Sequence, residues 1–236
     1  MPEFLNLLPP SQALELFLKN LPEKRMPVER VSSVQALGRI IGTTIHSPEN
    51  SPAFNRSTVD GYAVMASDTY GASEAQPAYL KIAGEVKMGE KSSIVLKPGL
   101  CALIHTGGML PDGADAVVMV ENTQPVTEKE IEILRAAAVG DNIIKTGEDI
   151  NAGEVIFNAG EVITPAVLGS LLAVGLKEID VYRKPRVGII SSGDEVVSPD
   201  QVPGAGQVRD INSYTLGALV ENEGAIAERY GIQPDD

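Results

Sequence analysis

Four short stretches of this sequence carry side chains in arrangements that suit chemistry. In Phe54–Met65 (FNRSTVDGYAVM) the carboxylate Asp60 stands directly before Gly61, at the head of the alternating run Tyr62-Ala63-Val64-Met65. The pattern holds an acid at the mouth of a strand, although Asp-Gly is also the default tight-turn pair, with Gly free to take φ > 0. In Leu103–Glu121 (LIHTGGMLPDGADAVVMVE), Thr106-Gly107-Gly108 follows a strand-like run. Three consecutive N–H groups there could cradle an anion, or the glycines could simply turn a hairpin. Thr146-Gly147-Glu148-Asp149-Ile150 puts two adjacent carboxylates in a loop, where solvated acids are common. Ser191-Ser192-Gly193-Asp194-Glu195 ends a short apolar run. Open α/β sheets bind ligands at that end of a strand, and helix caps favour the same residue types.

Single residues carry less. His105 neighbours Thr106 and could act as an acid or base, but no acid or metal partner is adjacent in sequence, and His46 has less to commend it. Cys101 lies in an apolar run and reads as core packing. No zinc-spaced Cys/His cluster, Ser-His-Asp order, Walker loop or G-x-G-x-x-G occurs.

The elements that must position these residues fall into three textures. Ser11–Asn20 has a helical apolar period, with Ser11 as the expected N-cap and Pro22 beyond its end. Val28–Val31 and Arg39–Ile45 read as strands, separated by a helical turn near Ser33–Leu37. From about Ser47 to Gly140, short β-rich runs (Gly61–Met65, Tyr79–Gly84, Leu100–Ile104, Ala116–Val120, Ile131–Ala136) alternate with turn signals, the last at Asn122–Thr127. This predicts a compact β-barrel or sandwich. After the Gly-turn segment Asp141–Thr164, Thr164-Pro165 opens a helix that stops at Gly175, and Glu178–Tyr182 reads as a strand. The β module is thus bracketed by α/β pieces, as an insertion would be. A buried-type strand at Val187–Ile190, a helix capped by Asn212 or Ser213 and a strand at Ala225–Tyr230 make one βαβ unit, the opening of a doubly wound sheet. Two parallel strands and one helix cannot cover both faces of a sheet, so the unit is expected to be cut short or covered by a partner.

Composition narrows the class. The chain has 236 residues, 43% hydrophobic and 22% charged, enough to bury a core in one large domain or two to three smaller ones. No apolar run is long enough to span a membrane, the N-terminus lacks the build of a signal peptide, and a lone cysteine fits the reducing cytoplasm. A net charge of −13 argues against nucleic acid. With an anionic substrate it would call for magnesium as the bridging cation.

Taken together, five blocks resemble the molybdopterin molybdenumtransferase family, which includes the gephyrin E domain. They are FNRSTVDGYAV at 54–64, IHTGGMLPDGADAVVMVE at 104–121, GEDINAGEVIFNAG at 147–160, VGIISSGDEVV at 187–197 and GQVRDINSYTL at 206–216, in family order. The resemblance implies a multidomain α/β and β protein. An elongated α+β domain would form from residues 1–46 and 141–183, with a small β-barrel-like domain inserted at 47–140. The first βαβ unit of a doubly wound domain would follow at 184–236, with a fourth domain absent. It also implies insertion of molybdate into adenylylated molybdopterin with release of AMP, aided by Mg²⁺, in a homodimer. The family's acids fall on Asp60, Asp149 and Glu195, with Asp60 and Glu195 as the residues that would meet the metal. Substrate contacts fall on Thr106, Gly107, Gly108, Ser192, Gly193 and Asp194. Many members have Asp at the position of Asn55 and Thr at that of Ser192, and they continue well past Asp236. The chain is therefore expected to hold half a site and to be inactive alone. A non-enzymatic dimerising scaffold is the alternative, which would predict degraded acids where this sequence keeps them.

Overall fold

The structure is a computed structural model that describes residues 8–21 and 26–235. The N-terminal residues 1–7, Pro22 and Asp236 lie outside the described residues. Helix α1 (Pro10–Asn20) begins one residue earlier than the period implies, with Pro9 at the cap position and no side-chain cap. Pro10 has no N–H to leave unsatisfied and its φ is already helical, so the double proline, not Ser11, starts the helix.

Strand β1 (Val28–Ser32) reaches across the chain to a late strand, as described below. The predicted strand at Arg39–Ile45 is broken: only single bridges form at Ile40 and Ile41, before β2 (Ile45–His46). The cause is that successive N–H groups change partners, Ile41 donating to Glu161 and Gly42 to Asp180. A side chain on Gly42 would also press on Val28 and the Val181 backbone.

Strand β3 (Arg56–Ser57) leads into β4 (Gly61–Val64), β5 (Ala78–Glu85), β6 (Leu100–Ile104), β7 (Ala116–Met119), β8 (Thr123–Thr127) and β9 (Glu130–Ile133). Strands β4 to β9 form one six-stranded sheet in the order β7-β4-β6-β5-β9-β8, mixed because β5 and β6 run parallel. Its outer strands β7 and β8 are not paired to each other, so the sheet is open rather than a closed barrel. Strand β8 occupies the segment expected to be a turn. Pro125 is tolerated because β8 is an edge strand that pairs only with β9. Alternation along the strands sorts side chains onto two faces. Val64, Cys101, Ala116 and Val118 join one core cluster, and Ala63, Ala102, Ile104 and Val117 the other. Cys101 is fully buried, and burial pushes its thiol pKa up to about 12, so it packs and does not react.

Strand β10 (Ile143–Ile144) pairs with β3, and β11 (Val155–Phe157) with β2. Helix α2 (Pro165–Ala173) is capped by Thr164, whose hydroxyl accepts the Val167 N–H at 3.3 Å. Strand β12 (Glu178–Tyr182) then lies antiparallel to β1, with Val28 opposite Tyr182. These early and late segments share a third core built on Ile41, Ile45, Ile163, Leu171 and Val181.

The last segment holds β13 (Arg186–Ser192), β14 (Val196–Val197), β15 (Val208–Arg209), α3 (Asn212–Asn222) and β16 (Ile226–Gln233). Strands β13 and β16 are parallel and α3 packs on both, which is the expected βαβ unit. Val187, Ile190, Ile226 and Tyr230 on its strands stay exposed.

Candidate functional site

The backbone from Asn55 to Asp60 is strung between two loops. On one side Ser57 exchanges hydrogen bonds with the 107–108 turn: its N–H donates to Gly108 and its carbonyl accepts from Gly107. On the other, Thr58 N–H donates to Asn142, and β3 pairs with β10. Both loops carry a Thr-Gly pair, and both are fastened to this segment by a side chain.

Asp60 is the first fastener. Its Oδ1 accepts the Thr106 backbone N–H at 2.7 Å and the Thr106 hydroxyl at 3.1 Å. These two bonds, the N–H foremost, hold its carboxyl below the usual carboxylate range, and His105 nearby adds a smaller pull the same way. The carboxylate nevertheless stays open to solvent. Gly61 takes ordinary negative φ, so it does not provide the turn freedom that the Asp-Gly pair suggests. It is required by contact: a Cβ there would run into the Val118 carbonyl on the neighbouring strand β7.

The anion-cradle reading of Thr106-Gly107-Gly108 is corrected by the same bonds. All three N–H groups are taken, by Asp60, by the Ser57 carbonyl and by the His105 carbonyl, so none is left for an outside anion. His105 does have acidic company, which its sequence neighbours did not show. Its Nε2 is 3.0 Å from Glu85 Oε1 and its Nδ1 is 3.8 Å from Asp60 Oδ1. The His46 ring is hydrogen-bonded to the Gly153 carbonyl, at 3.0 Å.

Asn55 is the second fastener, and it repeats the first. Its Oδ1 accepts the Thr146 N–H at 2.8 Å and the Thr146 hydroxyl at 3.1 Å. The loop beyond is zipped to the chain before Asn55: Gly147 N–H donates to Pro52, and the N–H groups of Asp149 and Ile150 both donate to Ser51. The Asp149 side chain itself is exposed.

Around Ser191–Glu195 a cleft of about 470 Å³ opens at the carboxyl end of β13, lined among others by Ser191, Ser192, Glu195, Arg209, Asp210 and Ser213. Gly193, at φ 135°, leaves no room for a side chain because Glu195 and Val196 close over it. Asp194 accepts the Asp235 N–H at 3.3 Å. The buried acid is Asp210, which the sequence reading passed over. It accepts the hydroxyls of Ser191 (2.7 Å) and Ser213 (2.6 Å) and the Ser213 N–H (3.1 Å). Those donors, the Ser213 hydroxyl first, hold its carboxyl below the usual range. The N-cap of α3 is Ile211, which has no side-chain cap, and Asp210 just before it bonds the first turn in its place; the expected caps Asn212 and Ser213 lie inside the helix. An Asp standing ahead of a helical run, with Ser three residues on, was the available signal.

The structure therefore joins Asp60 to Thr106 and places Glu195 beside Ser192 in a separate cleft, with partners drawn from different parts of the chain. Among the described residues no group of three or more His, Cys, Asp and Glu is gathered to hold a metal ion. Asp60 spends one oxygen on the two Thr106 donors and leaves the other open, which suits the one-carboxylate contact by which magnesium bridges to a substrate phosphate.

The family model of the MoeA N-terminal region (domain I and II) matches residues 8–175 of this chain. Molybdopterin molybdenumtransferase 2 of Mycobacterium tuberculosis is 37% identical over 206 residues, covering 87% of this chain and 51% of that protein. The molybdopterin molybdenumtransferase of Bacillus subtilis is 36% identical, covering 86% of this chain and 48% of its own length. A crystal structure described as a molybdopterin biosynthesis MoeA protein from Pyrococcus horikoshii superposes with a TM-score of 0.86 at 39% identity, over 97% of this chain and 58% of that one. The fold and these matches define a mixed α/β protein of the MoeA type. The chain belongs to the MoeA family, of which it carries the N-terminal region. It spans about half the length of the curated relatives it matches.

Proposed function

We propose that this chain works in molybdenum cofactor biosynthesis, as part of an enzyme that inserts molybdate into adenylylated molybdopterin and releases AMP. The observation that carries the reading is the Asp60–Thr106 pair, an ionised carboxylate fixed through one oxygen and open to solvent through the other. Such a group orients the hydrogen-bond donors of a substrate without having to be ordered when the substrate arrives. The cleft at Glu195, Ser192 and Arg209 supplies further polar groups at the end of a parallel strand, where ligands of open α/β sheets sit. Asp149 completes the set of acids, on a loop fastened to the same backbone segment as Asp60. The intact acids speak for the enzymatic role over a purely scaffolding one.

The test is AMP release from adenylylated molybdopterin in the presence of molybdate. It is measured on this chain joined to the C-terminal half of the Bacillus subtilis relative, with and without Asp60→Ala. The expected result is molybdate-dependent AMP release that the substitution abolishes without changing the circular dichroism spectrum. Full turnover in the substituted protein would remove Asp60 from the site. A folded fusion that releases no AMP would overturn the reading.

A further inference from the structure

The two Thr-Gly loops are held by one device used twice. At each end of the segment from Asn55 to Asp60, a single Oδ1 accepts both the N–H and the hydroxyl of a threonine. In each case that threonine precedes a glycine in the left-handed region, Gly107 at φ 82° and Gly147 at φ 72°. The distances match within 0.1 Å, 2.7 and 3.1 Å at Asp60 against 2.8 and 3.1 Å at Asn55. The acceptors differ only in charge. Asp60 is an acid and Asn55 an amide, and both bonds at Asn55 are received by its carbonyl oxygen. What the second position requires is therefore an acceptor oxygen rather than a negative charge.

We propose that Asn55 is a positioning residue for the loop that carries Asp149, acting through Thr146. The proposal rests on the enzymatic reading above, in which Asp149 belongs to the site. Two residues separate Thr146 from Asp149, and the turn they form is bonded to the chain before Asn55. The Gly147 N–H is bound to Pro52 and the Asp149 N–H to Ser51. Asp149 sits at this next clamp, so losing the Thr146 clamp leaves it held from one side only and more free to open. A shift near 1 Å in a reacting group costs up to about a hundredfold in rate.

Two measurements test this, one of them independent of activity. Hydrogen exchange on the chain as it stands should show the Thr146 amide protected. Asn55→Ala should raise its exchange rate by about tenfold or more and also raise that of Asp149, whereas Asn55→Asp should leave both slow, because a carboxylate oxygen accepts the same two bonds. In the AMP-release assay Asn55→Ala should lower kcat by about tenfold, with Asn55→Asp restoring it. If Asn55→Ala leaves exchange at Asp149 unchanged, or if Asn55→Asp behaves like Asn55→Ala, the acceptor latch is wrong. If exchange responds as stated while kcat does not, the latch exists but positions nothing catalytic, and the proposal is overturned. If the unsubstituted fusion releases no AMP, the enzymatic reading falls, and the positioning role with it.

Discussion

The hydroxyl of Ser191, near the end of β13, donates to Oδ2 of Asp210 at 2.7 Å, which ties the strand to the residue that bonds the first turn of α3. Ser213 adds its own hydroxyl and N–H to the same carboxylate. One buried acid therefore joins strand, helix start and cleft wall. Replacing Asp210 by Ala should cost about 1–3 kcal/mol, the range for leaving buried hydrogen-bond donors without their acceptor. The pH dependence follows from the sign of its shift. Its pKa is lowered in the folded protein, so its contribution is complete above the unfolded Asp value, about 3.9, and is lost as pH falls through that value towards the folded one. Urea unfolding should show a gap between wild type and Asp210→Ala that is constant near neutrality and narrows in acid. A gap that does not change with pH would show that the charge of Asp210 adds nothing.

Thr106→Val keeps the size of the side chain and the backbone N–H but removes the hydroxyl that donates to Asp60. The N–H is the largest of the three causes that lower the Asp60 pKa, ahead of the hydroxyl and of His105. A carboxyl-carbon NMR titration should therefore show Asp60 moving up towards the ordinary range without reaching it. No movement would mean the hydroxyl bond is not made in solution. A fully ordinary value would mean the backbone bond is lost as well.

How far the sequence reveals this architecture depends on whether the deciding partner is near or far along the chain. The helix at Thr164-Pro165 and the strands Leu100–Ile104 and Glu178–Tyr182 are written in local caps and periodicity, and the structure has them within a residue. The broken segment at Arg39–Ile45 looks like a strand locally. It fails because its N–H groups are divided between Glu161 and Asp180, more than 100 residues away. Strand β8 was hidden by Pro125, since an edge position is a property of the sheet and not of the segment. At the site, Asp60 and Thr106 are each legible as candidates, but their bond joins residues 46 apart and only the fold makes it. The same holds for Asn55 with Thr146, and for His105 between Glu85 and Asp60. Asp210 carries a local signal, an acid just ahead of a helical run with Ser three residues on.

Gly61 gives the sharpest mechanical prediction. It sits in β4 between β6 and β7, opposite Ile104 on one side and Met119 on the other, so neither neighbour has room to yield. A methyl group there meets the Val118 carbonyl, and relieving it means pushing β7 away and breaking the bond from the Val120 N–H to the Asp60 carbonyl. Gly107 is the control. Its φ of 82° disfavours a side chain, yet the space around it is open, with only Met88 Cε at 3.9 Å. Gly107→Ala should therefore cost about 1 kcal/mol, the strain of a left-handed residue. Gly61→Ala should cost about 3 kcal/mol, as overpacking between fixed strands does. Urea midpoints of the two variants decide the matter. If Gly61→Ala is no worse than Gly107→Ala, β7 is free to move, and the seat of Asp60 is softer than the sheet pairing implies.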